Sequence, residues 1–410
     1  MKKLLAVLLA LAMLFASASC AKTPAEDETT PADENNAAAT EIPADFKVGF
    51  IFLHDENSTY DKNFMDAAKA AQAALGLSDS QVLFKINIAE DNDCYEAAAE
   101  LVDEGCSVVF ANSFGHESYM IQAAKEFTDV QFCHATGTMA HTENLANYHN
   151  AFASIYEGRF LAGVAAGLKL NEMIADGKIT ADQAKMGYVG AFPYAEVKSG
   201  YTSFYLGAKF VCPSVTMDVK YTNSWFDEAL EKEAANALIQ GDCVLISQHA
   251  DSMGAPTACE TAGVPNVSYN ASTAAACPNT AIVSSKINWQ PYFEYMINCV
   301  VKGEEIVVDY CGGFEEGSVE LTAINEIAAA EGTAAKIEEI KAQIIAGEIN
   351  VFDTATFTVG GAALESYKAD VDSDEAFTPD TEVVADGFFH ESEFRSAPYF
   401  DILIDGITEV

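Results

Sequence analysis

From residue 46 onward the chain alternates short, unbroken apolar runs with Ala-rich segments of helical spacing. The order is "FKVGFIFL", "DKNFMDAAKAAQAALG", "SQVLFKINI", "DCYEAAAELVDEG", "CSVVFAN", "ESYMIQAAKEFT" and "VQFCHAT". A strand that is apolar on both faces must be covered on both faces, which is the situation in a parallel sheet. Parallel neighbours cannot be joined by a hairpin and need a crossover, which the helical segments supply. The pattern therefore predicts an α/β fold with a doubly wound sheet. It then restarts. A long helix over residues 156–175 leads into "KMGYVGAF", and a second round runs through "SVTMDVKYT", "FDEALEKEAANALIQG", "CVLISQ" and "VPNVSY". The length exceeds the usual size of one domain, so the reading is two doubly wound α/β lobes joined by a hinge. Residues 46–154 plus 272–310 are expected to form the first lobe, completed by the strand and amphipathic helix in "TAIVSSKINWQPYFEYMINCVVKGEEI". Residues 155–271 plus 311–325 form the second, with "GSVELTAI" crossing back to it. Residues 326–410 read as a helix and then a C-terminal extension of β-like alternation, to which the sequence assigns no role.

The first residues, "MKKLLAVLLALAMLFASASC", have the order of a secretory signal: two lysines, an apolar stretch, then small residues. Residues 1–19 are read as a signal peptide, and the apolar stretch is short for a membrane span. Cys20, directly after the small residues, is the expected lipid-attachment site, although Ser17 stands where lipoprotein signals usually carry Leu. Residues 20–45, small, polar and acidic, read as a lipid-anchored disordered tether. Acyl chains at Cys20 would hold the protein at the cell membrane, on its extracytoplasmic face. The whole chain carries 62 Asp+Glu against 22 Lys+Arg, a formal charge of −40. Neutralising phosphates needs clustered cations, so nucleic acid is not an expected partner. Ten cysteines are present, and nine remain once Cys20 is acylated. None shows C-x-x-C spacing, and most lie inside apolar runs, where a free thiol packs as a small hydrophobe.

Ligands of α/β sheets bind beyond the carboxyl ends of the strands. The strand tips fall at residues 54–64, 112–117, 135–138, 192–196, 223–227, 248–251, 270–273 and 288–289. One of the two tryptophans, Trp225, sits at such a tip, in "NSWFD". The tips also carry a resemblance. "YDKNF", "ANSFGHESYMIQAAKEFTDVQFCHATG", "YEGRFLAGVAAG", "GYVGAFPYAEVKSGYTSFYLGA", "NSWFDEALEKEAANALI", "SQHADS" and "KINWQPYF" occur in order between about residues 46 and 320. Together they resemble the basic membrane protein family of substrate-binding lipoproteins, with residues 112–137 and 223–239 most like its adenine-binding branch.

The resemblance implies a monomeric, two-lobed clamshell of the type I periplasmic-binding-protein kind. It would bind a purine base or purine nucleoside and serve an ABC permease and its ATPase, without cofactor or metal. It also implies an aromatic from each lobe stacking on the base, which by motif are Phe64 and Trp225. Stacking on an aromatic is worth about 1–3 kcal/mol per base but does not choose among bases; edge hydrogen bonds do. Edge-reading candidates are Asp251, His249, Asn270, Ser113, Phe114, Asp61 and Asn288. Asp251 can accept from an exocyclic amine or ring N–H, and Asn270 can donate and accept at once. Nucleoside-binding members often carry Asp where Asn270 stands, so Asn270 favours a free base. Asp61 serves equally well as a helix N-cap, and Asn288 as a hinge residue.

Four rival readings remain open at this point, one of them a purely structural or sensory lipoprotein that serves no importer. A nucleoside hydrolase would share the scaffold, but "HDENSTYD" lacks a calcium-type repeat of Asp, and no G-x-S-x-G elbow occurs. A metal-carrying importer component would have to use His134, His141 and His149, whose spacing suits no single helix face. A sugar-binding protein of the same two-lobed form is the strongest rival, because sugars also stack on Trp.

Overall fold

The computed structural model describes residues 42–371 and 378–410; the expected signal peptide, Cys20 and nearly all of the tether lie outside the described residues. The first part of the chain forms β1 (Val48–Ile51), α1 (Thr59–Leu75), β2 (Val82–Lys85), α2 (Asn92–Asp103), β3 (Val108–Ala111), α3 (Glu117–Glu126), β4 (Gln131–Ala135), α4 (Ala140–Glu143) and β5 (Tyr148–Ala153). After α5 (Ile155–Ala175) follow β6 (Lys185–Gly190), α6 (Ala195–Val211), β7 (Thr216–Tyr221), α7 (Glu228–Gln240), β8 (Leu245–His249), α8 (Gly254–Ala262), β9 (Asn266–Tyr269) and β10 (Ala281–Ile287). The chain then runs through α9 (Gln290–Lys302), β11 (Asp309–Gly312), β12 (Val319–Leu321) and α10 (Thr333–Ile345).

Two sheets result, each with helices against it. The first has the order β11-β5-β4-β3-β1-β2 and is parallel throughout. The second has the order β12-β10-β9-β8-β6-β7, continued by a last strand at Ile407–Glu409. Only β12 runs antiparallel, against β10. The apolar runs explain the central strands: all four residues of β1 and all four of β3 are buried. Local chemistry sets the helix ends. Ser58 Oγ accepts from the Asp61 N–H at 3.1 Å to start α1, and Gly76 ends it at φ 68°, a left-handed conformation that costs glycine little.

The lobe boundaries differ from the sequence expectation at two strands. Residues 281–287, expected to complete the first lobe, form β10 of the second sheet, paired with β9 at Ala281–Asn266 and Ser285–Tyr269. Residues 311–312, expected in the second lobe, belong to β11, which pairs with β5 at the edge of the first. The physical reason is that an apolar strand fits either sheet; its pairing partner decides, and the link from β9 to β10 contains no helix to reveal it. The chain therefore crosses between lobes at Ser154, between Ile287 and Gln290, and between Gly312 and Val319. Side chains tie these crossings together. Asn288 Nδ2 donates to the Gly317 carbonyl at 3.0 Å, and the Glu157 carboxylate accepts from Phe314 N–H at 2.9 Å. Burial raises the Glu157 carboxyl to about 7.

The extension, to which the sequence assigned no role, packs on the second lobe and reaches the edge of the first at Asp309. Glu409 accepts from the hydroxyls of Tyr201 (3.0 Å) and Tyr221 (2.7 Å), and Phe352, Phe389 and Phe400 form an aromatic cluster. Among the described residues nine cysteines are free, eight of them buried, and no helix is long and apolar enough to cross a membrane.

In the second lobe α5 and α6 meet backbone to backbone. A Cβ added at Gly163 would lie 2.0 Å from the Phe204 carbonyl oxygen, and one at Gly207 only 1.9 Å from that of Phe160. Neither neighbour is a flexible side-chain end, so the helices would have to part. Gly207→Ala is expected to lower stability by about 1–3 kcal/mol, the usual cost of overpacking, read as an earlier urea midpoint at unchanged slope. A wild-type midpoint would disprove the close crossing.

Candidate functional site

The carboxyl ends of the two sheets face each other and touch. The Asp251 carbonyl, beyond β8, accepts from both the N–H (2.8 Å) and the hydroxyl (3.1 Å) of Thr59 at the start of α1. Two ring pairs bridge the same gap: Phe114 with Tyr194 at 5.6 Å, and His54 with Phe226 at 5.2 Å. Between these contacts lies a narrow cavity of about 20 Å³, well below the usual size of a ligand pocket, so a ligand-sized molecule enters only as the lobes part. Leu53, Tyr60, Ser113, Phe114 and Thr136 line it from the first lobe, and Glu196, Trp225, His249 and Asp251 from the second.

Five of the sequence candidates meet there: Ser113, Phe114, Trp225, His249 and Asp251. Trp225 is half-buried, its indole edge-on to Phe192 at 5.0 Å, and its carbonyl accepts from the Asp251 N–H at 2.9 Å. Ser113 Oγ donates to Glu90 at 2.6 Å, and the Ser113 carbonyl pairs with His134 Nε2 at 2.7 Å. His149 is likewise engaged with the protein, through Gln131 and the Val307 carbonyl.

Four candidates lie outside the cavity wall. Phe64 is fully buried, stacked on Trp289 at 4.5 Å between ring centres. The residue one helical turn earlier, Tyr60, faces the cavity in its place, with Phe64 behind its ring at 4.8 Å. The reason is depth: on α1, position 60 lies at the strand tips and position 64 over the sheet. Asp61 is an internal hub, accepting from Asn112 Nδ2 (2.8 Å) and the His54 N–H (3.2 Å). Burial pushes its carboxyl up, but the bonds from His54, Asn112 and Ser58 outweigh that and hold it below the usual range. Asn288 ties the lobe crossings, as described. Asn270 is buried after β9 at φ 65°, with Nδ2 unpartnered.

Two acids, Glu196 and Asp251, line the cavity, and a buried cation, Arg159, acts on it from behind. Burial, and then the nearby Glu231, Asp61 and Glu196, push the Asp251 carboxyl well above the usual range, opposed by Arg159. Arg159, from α5, is 1% exposed; its guanidinium lies 3.5 Å over the Tyr269 ring, and Nη1 donates to the Gln248 carbonyl at 3.0 Å. Burial and Arg159 hold His249 down at about 4, against the pull of Glu196, so its imidazole is neutral near pH 7. With Nε2 3.3 Å from Glu196 Oε1 and Nδ1 unpartnered, the tautomer that donates to Glu196 leaves Nδ1 as an acceptor. Thr136 adds strain: a β-branched residue at φ 66° with an unpartnered Oγ1, the kind of outlier that collects at functional sites. Tyr60, Leu53, Thr136, Glu196 and Arg159 were missed as individual candidates. Their only signal was position: Tyr60, Thr136 and Glu196 fall inside the strand tips, Leu53 just before one, and Arg159 within "YEGRFLAG".

A family model described as ABC transporter substrate-binding protein PnrA-like matches residues 54–354. The chain belongs to this Bmp family. It is 31% identical over 309 residues to a purine-binding protein of Brucella abortus, covering 75% of this chain and 83% of that one. To a putative ABC transporter glucose-binding protein of Haloferax volcanii it is 29% identical over 343 residues, covering 83% and 77%. Solved ABC transporter solute-binding proteins share the fold. The one from Aeropyrum pernix superposes with a TM-score of 0.62 at 17% identity, covering 75% of this chain and 93% of that one. The one from Conexibacter woesei gives 0.60 at 18%, covering 74% and 98%. The protein is thus an ABC transporter substrate-binding protein with a periplasmic-binding-protein-like α/β fold.

Behind Asp251, Glu231 offers a pH test. It is fully buried, accepts from the N–H groups of Ser252 and Asp227, and is raised by burial from its ordinary 4.5 to about 7. Between those values the folded chain holds a proton that the unfolded chain has released, so this group's contribution to stability falls as pH rises through the window. Glu231→Gln lacks that loss. The variant should therefore gain on wild type by about 2–3 kcal/mol between pH 5 and pH 8, measured by urea denaturation; a constant difference would refute the raised value.

Proposed function

We propose that this substrate-binding protein captures a purine base or purine nucleoside between its two lobes, at the cavity that their strand tips line, and delivers it to a membrane permease driven by an ATPase. The observation that carries the reading is the cavity itself. It is small, closed between lobes, and walled by Tyr60 on one side and Trp225 on the other, with carboxyl, imidazole and hydroxyl groups at its margin. Flat aromatic walls attract a flat heteroaromatic ring, and polar groups around it discriminate by leaving wrong edges unpaired. The likeness to a purine-binding protein supports the same ligand class. Asp251 and His249 are the edge readers: the first presents a carboxyl, the second a neutral acceptor nitrogen. Ligand entry closes the lobes through contacts the open form lacks. The protein works as a carrier rather than as an enzyme, held extracytoplasmically by lipid on Cys20.

A sugar is the second reading. It is favoured by the likeness to a putative glucose-binding protein and by Glu196 and Asp251, which can accept from hydroxyls. Calorimetric titration with adenine, adenosine and glucose separates the two. Purine binding should weaken in Trp225→Ala by about 1–3 kcal/mol, with the fold retained because the indole is only half-buried. Binding of glucose alone, or an unchanged purine dissociation constant in the variant, would overturn the proposal.

A further inference from the structure

We infer that the C-terminal extension is part of the ligand site: residues 395–401 wall an outer chamber, adjoining the closed cavity, that takes a neutral, hydroxyl-bearing substituent of the ring held inside. The inference rests on the purine reading above. The outer chamber has a volume of about 280 Å³ and is lined by Phe114, Thr136 and Glu196, three residues that also line the inner cavity. A substituent leaving the inner cavity past these residues enters it. Thr138 and Tyr194 continue the walls from the two lobes, and Arg395 and Asp401 close the far side.

The extension is fixed there from both lobes. The Ser396 N–H donates to Asp309 Oδ2 at 3.1 Å on β11, at the edge of the first sheet. Asp401 pairs with Lys198 of α6 at 2.7 Å, and the strand Ile407–Glu409 continues the second sheet beside β7. The wall therefore belongs to the closed arrangement. It also lies beyond residue 354, where the match to the family model ends.

The lining decides the chemistry. Glu196 and Asp401 are acceptors, and Thr136 and Thr138 bring hydroxyls, that of Thr136 unpartnered. Arg395 does not serve as an anion clamp, because its guanidinium already donates to the carbonyls of Asp370 (3.0 Å), Ala397 (3.3 Å) and Pro398 (3.3 Å). Such a chamber welcomes hydroxyl donors and repels a phosphate.

The test is calorimetry on the full chain with adenine, adenosine and adenosine monophosphate. Wild type should bind adenosine at least as well as adenine, and the monophosphate about tenfold or more weakly. Ala195 lines the outer chamber and not the inner one, so Ala195→Phe narrows the former; it should weaken adenosine by about tenfold while adenine stays within about twofold. Circular dichroism checks its fold, and Thr138→Trp provides the same obstruction from the other lobe if it fails. The inference is overturned if adenosine is excluded by wild type that binds adenine, or if the obstruction spares adenosine or weakens both ligands alike. Wild type that binds no purine overturns the parent reading instead.

Discussion

Parallel pairing is the constraint on which everything else depends. When all strands of a sheet point the same way, every loop that leaves a strand's carboxyl end gathers on one edge. Two such sheets, the second parallel in all but its edge strand β12 and linked to the first by three crossings, turn those edges toward each other. The Asp251 carbonyl then needs only Thr59 from the opposite lobe to seal the gap. Residues separated by nearly two hundred positions become neighbours through the direction of the strands, and no single motif could have placed them.

The cleft is acidic in a chain that is acidic throughout, and its local balance differs from its surface. Exposed carboxylates are hydrated and repel one another only weakly through salt. Asp251 and Glu231 have neither that hydration nor a paired cation on their own lobe surface, and they respond by holding protons more tightly. Arg159 reaches the site from the helix that follows the first crossing and is the nearby cation acting on both Asp251 and His249. A polar interior of this kind favours ligands that supply complementary donors, because empty or mismatched occupancy leaves groups unsatisfied.

The architecture was legible because period and length carry it: unbroken apolar runs gave the strands, Ala-rich spacing gave the helices, and the restart at "KMGYVGAF" gave the second lobe. Strand membership was not. Residues 281–287 read as apolar whichever sheet they join, and only the pairing with β9 decides. At the site, tips were readable and depth was not. Phe64 and Tyr60 sit on the same face of α1, one turn apart, yet one is core and the other lines the cavity. Hydrophobic pattern cannot separate those two fates, since both positions are aromatic and the difference is a few ångströms along the helix axis. The extension was opaque for another reason: its aromatic cluster and its final strand take their order from surfaces elsewhere in the chain.

The buried thiols carry a last consequence. Oxidants attack exposed thiolates, and burial raises thiol groups such as Cys94, Cys106 and Cys243 away from ionisation while closing off access. Among the described residues the folded protein shields eight of nine thiols from an oxidant; unfolding exposes all nine. Keeping these thiols out of reach is therefore a service the fold performs, and thiol oxidation and loss of the fold are coupled events in this protein.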